Sequence, residues 1–141
     1  MNTLRFGWTV AFCGLAALGC SSSDKDDKST APLEIVGKYM DSFKMEQTIT
    51  ATKWNTDAIV GYDNDANVVY TKIADDAMFN PGKYTKTVYT EPKNGSFYFC
   101  EVEFSLDTLA DAKASTATAD DSDPDNGGCG GMFAWTKATK E

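Results

Sequence analysis

The stretch that decides the fold is KYTKTVYTEPKNGSFYFCEVEF, residues 83–104. Two runs rich in aromatic and β-branched residues flank a turn that contains Asn94-Gly95, the dipeptide most typical of a tight β-hairpin. Because successive side chains of a strand point to opposite faces of the sheet, the residues of the second run divide into two faces. The face that we predict to point inward carries Tyr98, Cys100, Val102 and Phe104, and the other carries Phe97, Phe99, Glu101 and Glu103.

The rest of the chain from residue 33 onward is also typical of strands. Strands are predicted over 34–43, 47–54, 58–62, 67–73, 83–90, 96–104 and 132–137. Residues 106–114 are Ala-rich and predict one short helix, capped by Asp107 or Thr108, and 115–131 predicts a long loop. The chain is therefore mainly β, an antiparallel meander that closes into a small barrel or half-barrel, with a β-sandwich or an open sheet as alternatives.

Two resemblances concern this region. Gly37-Lys38-Tyr39 resembles the G-x-W/Y start of lipocalin- and avidin-like barrels, which implies an aromatic closing one end and a carrier of small apolar ligands. Residues 34–137 are also similar to small β-rich bacterial lipoproteins with a Gly-Gly-Cys-Gly-Gly run followed by an aromatic residue and Trp-x-Lys. That second resemblance implies no activity.

The N-terminal residues 1–20 have the pattern of an export signal. Arg5 precedes an uncharged run of about 14 residues, which is shorter than the roughly 20 needed to span a bilayer. The run ends in Leu-Ala-Ala-Leu-Gly before Cys20, which resembles the lipobox of bacterial lipoproteins. It departs from that family at Ala17, where Leu is usual. An ordinary signal peptide and a buried helix are the alternatives.

The lipobox resemblance implies that Cys20 carries the lipid and becomes the N-terminus. Residues 1–19 are then a signal peptide, 20–32 a disordered polar tether, and 33–141 the globular domain. Ser21 follows the lipidated position, and by the enterobacterial sorting rule it favours the outer membrane. The predicted location is the cell envelope, with the membrane as a partner through the N-terminal lipid.

The four cysteines divide according to this topology. Cys13 leaves with the signal peptide and Cys20 is used by the lipid, so Cys100 and Cys129 remain in a compartment that permits disulfides. We predict a Cys100–Cys129 bridge. A redox-active or metal-binding pair is the alternative, which the lack of a C-x-x-C motif and of His disfavours.

Composition excludes several function classes. The net charge is −8, which disfavours nucleic acid as a partner, and the chain has no His, which removes imidazole triads. No cofactor is predicted.

Two acidic patterns are candidate sites. Asp121, Asp123 and Asp125 have the 1, 3, 5 spacing of a calcium loop, but Asn126 stands where the turn glycine belongs and Met132 where the bidentate Glu belongs. A solvated acidic loop explains the same residues. Glu101 and Glu103 have a spacing suited to a hydrolytic carboxylate pair, which a solvated sheet face also predicts.

The function predicted from sequence is a non-catalytic binding or interaction module, whose protein partner or ligand is not identified. The alternative is a lipocalin-like carrier of a small apolar ligand, since many aromatic residues could line a cavity. They are also the usual content of a core. A measurable apolar cavity inside the barrel would separate the two functions.

Overall fold

The computed structural model describes residues 31–141. The predicted signal peptide, Cys20 and most of the predicted tether lie outside the described residues. The strands and the helix are β1 (Gly37–Asp41), β2 (Glu46–Ile49), β3 (Lys53–Trp54), β4 (Asp57–Asp63), β5 (Val68–Lys72), β6 (Tyr84–Tyr89), β7 (Ser96–Leu106), α1 (Leu109–Ala114), β8 (Gly128–Cys129), β9 (Phe133–Ala134) and β10 (Thr136–Lys140).

Eight of these strands form a closed antiparallel barrel in the order β1-β10-β7-β6-β5-β4-β3-β2, with β2 paired back to β1. Strands β8 and β9 form a separate two-stranded ribbon. The predicted barrel and the predicted short helix are confirmed. The helix begins after Thr108, whose hydroxyl accepts the Asp111 backbone N–H while the Asp111 carboxylate accepts the Thr108 N–H, a capping box.

Some predicted strands are too long. The prediction over 47–54 was wrong in that the chain bends between β2 and β3, where the Thr50 hydroxyl accepts the backbone N–H of Lys53 at 2.9 Å. Such a local bond competes with the sheet ladder. Residues 34–36 lie outside β1, and the predicted strand over 132–137 is divided between β9 and β10.

The barrel interior is filled by apolar side chains around Phe97, which is 1% exposed. The rings of Tyr39, Trp54 and Tyr89 meet Phe97 edge-on, with centroid distances of 5.0, 6.5 and 6.2 Å. The core comprises Leu33, Ile35, Tyr39, Ile49, Trp54, Tyr62, Val69, Tyr89, Phe97 and Ala138.

The two ends of the barrel differ. At one end, here named the closed end, the buried Leu33 and Ile35 precede β1, and the Tyr62 hydroxyl donates to the Ala31 carbonyl at 3.0 Å. The β2–β3, β4–β5 and β6–β7 turns lie at this end. The other end, here named the mouth, carries the β1–β2, β3–β4 and β5–β6 connections and the end of β7.

Cys100 is bonded to Cys129, with a Cα–Cα distance of 5.7 Å, so the predicted disulfide is confirmed. The predicted inward face is wrong. Phe97 and Phe99 pack in or against the core, so the alternation of β7 directs Cys100 to the outer face. Cys100 is nevertheless only 2% exposed, because the disulfide holds the 115–131 segment over it.

The loop over 115–131 is attached to the barrel wall at several points. The Trp135 indole N–H donates to the Asp120 carbonyl at 2.9 Å, and the Tyr98 hydroxyl donates to the Asp125 carboxylate at 2.8 Å. Gly128 has φ +92°, and a Cβ there would lie 1.8 Å from the Asp120 carbonyl oxygen. Only glycine fits this close approach of two backbone segments.

Candidate functional site

A recess of about 170 Å³ opens at the mouth of the barrel. Its apolar walls are the rings of Trp54 and Phe99, whose centroids are 5.1 Å apart. Its other walls are polar and comprise Gln47, Asn55, Asp57, Thr71, Thr87 and Glu101. The recess therefore combines an aromatic surface with carboxylate, amide and hydroxyl groups.

A buried hydrogen-bond network fixes the aromatic wall. The Asp41 carboxylate accepts the Gln47 side-chain amide at 2.9 Å, and it also accepts the backbone N–H groups of Phe43 and Met45 in the β1–β2 turn. The Gln47 carbonyl oxygen in turn accepts the Trp54 indole N–H at 3.0 Å. Because Asp41 and Gln47 are buried and hydrogen-bonded to each other, the bond from Gln47 to the Trp54 indole holds Trp54 in one orientation beside the recess.

Two carboxylates meet in this recess. Asp57 begins β4 and accepts the Ala74 backbone N–H at 3.1 Å, which ties it to the β5–β6 connection. Glu101 lies on β7. Glu101 is an exposed residue, but the atoms around its carboxyl partly desolvate it, and this desolvation, together with repulsion from Asp57, raises the pKa of Glu101 above its ordinary value.

A β-bulge separates Glu101 from Glu103. Glu101 pairs with Thr87 across the β6–β7 ladder, whereas Glu103 pairs with Lys86. Because Thr87 and Lys86 are adjacent in β6, they point to opposite faces, and so do their partners. Glu103 therefore lies on the outer face, where it accepts the hydroxyl of Ser115 at 3.2 Å. The prediction that the two glutamates share a face is wrong.

The structure does not bring Asp121, Asp123 and Asp125 together. The Asp125 carboxylate accepts the Tyr98 hydroxyl, the Asp123 carboxylate accepts the Asn126 amide, and Asp121 lines an outer groove. Over residues 31–141 no group of three or more His, Cys, Asp or Glu is arranged to hold a metal ion. Calcium binding by this loop stays a prediction from sequence spacing.

Exposed phenylalanine and methionine side chains surround the mouth. We name as the apolar rim Phe43, Met45, Met78, Phe79 and Phe104. Their exposed fractions are 70%, 55%, 87%, 77% and 62%. They lie in the β1–β2 connection, in the β5–β6 connection and near the end of β7. Exposed apolar residues gathered at one end of a domain are typical of an interaction surface.

Sequence reasoning missed Asp57, Thr71 and Thr87 as site residues. They lie on the neighbouring strands β4, β5 and β6, so only the pairing of these strands brings them together. One signal was present for the threonines. Thr85 and Thr87 alternate with Lys86 along β6, which places polar groups at inward positions of a barrel strand.

No protein-family model matches this chain, and no curated protein or solved structure is significantly similar to it. In the part of the chain that the structure describes, no helix has the length and apolarity required to cross a membrane.

A Glu101→Gln substitution is expected to stabilise the protein at pH 7. Because the pKa of Glu101 is raised in the folded state, the free energy of unfolding falls as the pH rises above the carboxyl's ordinary pKa of 4.5. Glutamine carries no charge and so removes this loss. We expect the substitution to raise the free energy of unfolding at pH 7 by about 0.5 kcal/mol, a value discounted for solvent screening at the exposed end of the side chain. Urea unfolding at pH 3.5 and pH 7 measures it.

The matched control is Glu103→Gln, which removes the same charge two residues away on the outer face. At pH 3.5 the Glu101→Gln variant should equal the parent, because the parent carboxyl is then protonated in both states. An unchanged or lower stability of Glu101→Gln at pH 7 would contradict the prediction.

Proposed function

We propose that this chain is a lipid-anchored protein of the bacterial cell envelope, and that its barrel is a non-catalytic binding module whose binding surface is the mouth. The observation that carries the proposal is that the entry of the chain and the recess lie at opposite ends of the barrel. The chain enters at the closed end through Leu33 and Ile35, whereas the recess and the apolar rim lie at the mouth. A membrane anchor on Cys20 would therefore leave the mouth free to meet a partner.

The size of the recess supports binding rather than catalysis or transport. Pockets that enclose a substrate or a drug-sized ligand usually measure about 300–1,000 Å³. At about 170 Å³, this recess admits only a small group. The described interior below it is filled by the aromatic core, which leaves no room for an apolar ligand, so we do not propose a carrier of apolar ligands.

The anchor is tested by the intact mass of the protein isolated from membranes. We expect a chain that starts at Cys20 and carries acyl groups, and a gain of two hydrogens on reduction of the Cys100–Cys129 bridge. An unlipidated mass would overturn the anchor.

The binding surface is tested by a photo-crosslinking residue placed in the full-length protein in living cells. We expect a discrete crosslinked product with the crosslinker at Phe104 or Met78 on the rim. The control position is Val60, which is 37% exposed on the barrel wall. Equal products at the rim and at Val60, or none at either, would refute the mouth as the binding surface.

A further inference from the structure

The two carboxylates of the recess have no cationic partner among the described residues. The ion pairs within residues 31–141 join Lys38 to Glu46, Lys72 to Asp75 and Lys83 to Asp107, and none of them reaches Asp57 or Glu101. Two like charges that act on each other in a partly desolvated site are unfavourable. A cation placed between them would relieve that repulsion.

The hydroxyl of Thr87 also faces the recess. Thr87 is 6% exposed and lines the recess, and no described group hydrogen-bonds its side-chain oxygen. The neighbouring pair Thr71 and Thr85 differs, because their hydroxyls bond each other at 2.7 Å. Because the Thr87 oxygen is not among the buried atoms that lack a partner, it is reachable from the recess, where it can accept a hydrogen bond from a donor on a ligand.

The aromatic wall fits the same kind of ligand. The faces of tryptophan and phenylalanine rings attract ammonium and guanidinium groups, and their apolar edges pack against an aliphatic stem. The volume of about 170 Å³ suits one such head group and a short stem. The remainder of any ligand must lie outside the recess, at the mouth.

We propose that the mouth binds a protein segment that inserts one lysine or arginine side chain into the recess, where Asp57 and Glu101 pair with its charge and Thr87 accepts one of its N–H groups. The apolar rim contacts apolar residues on either side of that side chain. This inference rests on the proposed function and adds the chemistry of the partner. The net charge of −8 favours a basic partner and disfavours an anionic lipid surface as the occupant.

The test is a titration of the ¹⁵N-labelled full-length protein, purified from membranes, with acetyl-Gly-Leu-Lys-Phe-Gly-amide. The readout is the indole N–H signal of Trp54, because Trp54 lines the recess. Trp135 is the internal control, since its indole N–H is bonded to Asp120 in the outer loop. The matched peptide replaces lysine by norleucine, which keeps the aliphatic stem and removes the charge.

We expect saturable movement of the Trp54 signal with the lysine peptide, an unmoved Trp135 signal, and about tenfold weaker binding of the norleucine peptide. Asp57→Asn and Glu101→Gln should each weaken the lysine peptide about tenfold and remove the preference over norleucine. Glu103→Gln, on the outer face, should leave the affinity unchanged. Thermal unfolding of each variant verifies that it is folded.

Several results would overturn the proposal. Equal affinity for the two peptides would refute charge recognition, and unchanged affinity in Glu101→Gln would refute the recess. A Trp54 response to calcium or to n-butylammonium alone, with neither peptide bound, would replace the protein segment by a free cation. If both peptides fail while rim crosslinks persist, the ligand class is wrong and the binding surface stands. If the crosslinks are absent too, the proposed function fails.

Discussion

Phe97→Ala is expected to lower the free energy of unfolding by about 3–5 kcal/mol. Phe97 is 1% exposed and is the ring on which Tyr39, Trp54 and Tyr89 converge, so its removal leaves a cavity and deletes three edge-to-face contacts. The rigid barrel wall cannot collapse to fill that cavity, which adds to the lost transfer energy. Equilibrium unfolding in urea measures the loss. The expected loss is a large part of the free energy of unfolding of a typical domain, which is about 5–15 kcal/mol.

The matched variant is Phe97→Leu, which keeps most of the apolar volume and loses the ring contacts. We expect this substitution to lower the free energy of unfolding by about 1–2 kcal/mol. A loss below about 1 kcal/mol for Phe97→Ala would contradict a filled barrel interior, because only an existing void could absorb the missing ring.

Removal of the disulfide through Cys100→Ser and Cys129→Ser is expected to cost about 3–4 kcal/mol and to lower the melting temperature by about 10–20 °C. The bond joins residues that are 29 positions apart, so it restricts a long stretch of the unfolded chain. It also holds the 115–131 loop over the outer face of β7. Differential scanning calorimetry of the parent and the double variant measures the effect.

Reduction of the parent protein provides the control, since a reductant should lower its melting temperature to near that of the double variant and leave the double variant unchanged. A parent that melts at the same temperature with and without reductant would contradict the prediction.

Much of the fold could be predicted from local residue patterns. Asn94-Gly95 forms the β6–β7 turn with φ +53° and +76°, a conformation that asparagine and glycine adopt readily. The alternation of β6 and β7 identified the central hairpin. The break between β2 and β3 could not be seen, because Thr50 is a good strand residue, and its residue type does not show that its hydroxyl accepts the Lys53 N–H in a local turn.

The face of Cys100 was predicted incorrectly for a physical reason. Period two separates two faces but does not say which of them points inward. The outer face of β7 is as buried at Cys100 as the inner face is at Phe97, with exposed fractions of 2% and 1%. The covering loop comes from residues far along the chain, so a local pattern contains no information about it.

The candidate site was predictable only in part. Glu101 was singled out by its place in an alternating strand, but the bulge that turns Glu103 outward depends on the pairing of β7 with β6. Asp57 could not be grouped with Thr87 and Glu101, since it lies 30 residues before Thr87 and 44 before Glu101, and the pairing of Thr87 with Glu101 depends on the register of β6 against β7.

The entry of the chain at the closed end has a mechanical consequence. A pull applied to residue 31 reaches Leu33 and Ile35 first and then runs along β1, which is bonded to β2 on one side and to β10 on the other. The force is therefore parallel to the strand and perpendicular to its hydrogen bonds. Both ladders must shear together, because a closed barrel has no free edge from which a strand can be peeled. A partner held at the mouth would thus apply force along the strands, which is the direction in which the sheet resists separation most strongly.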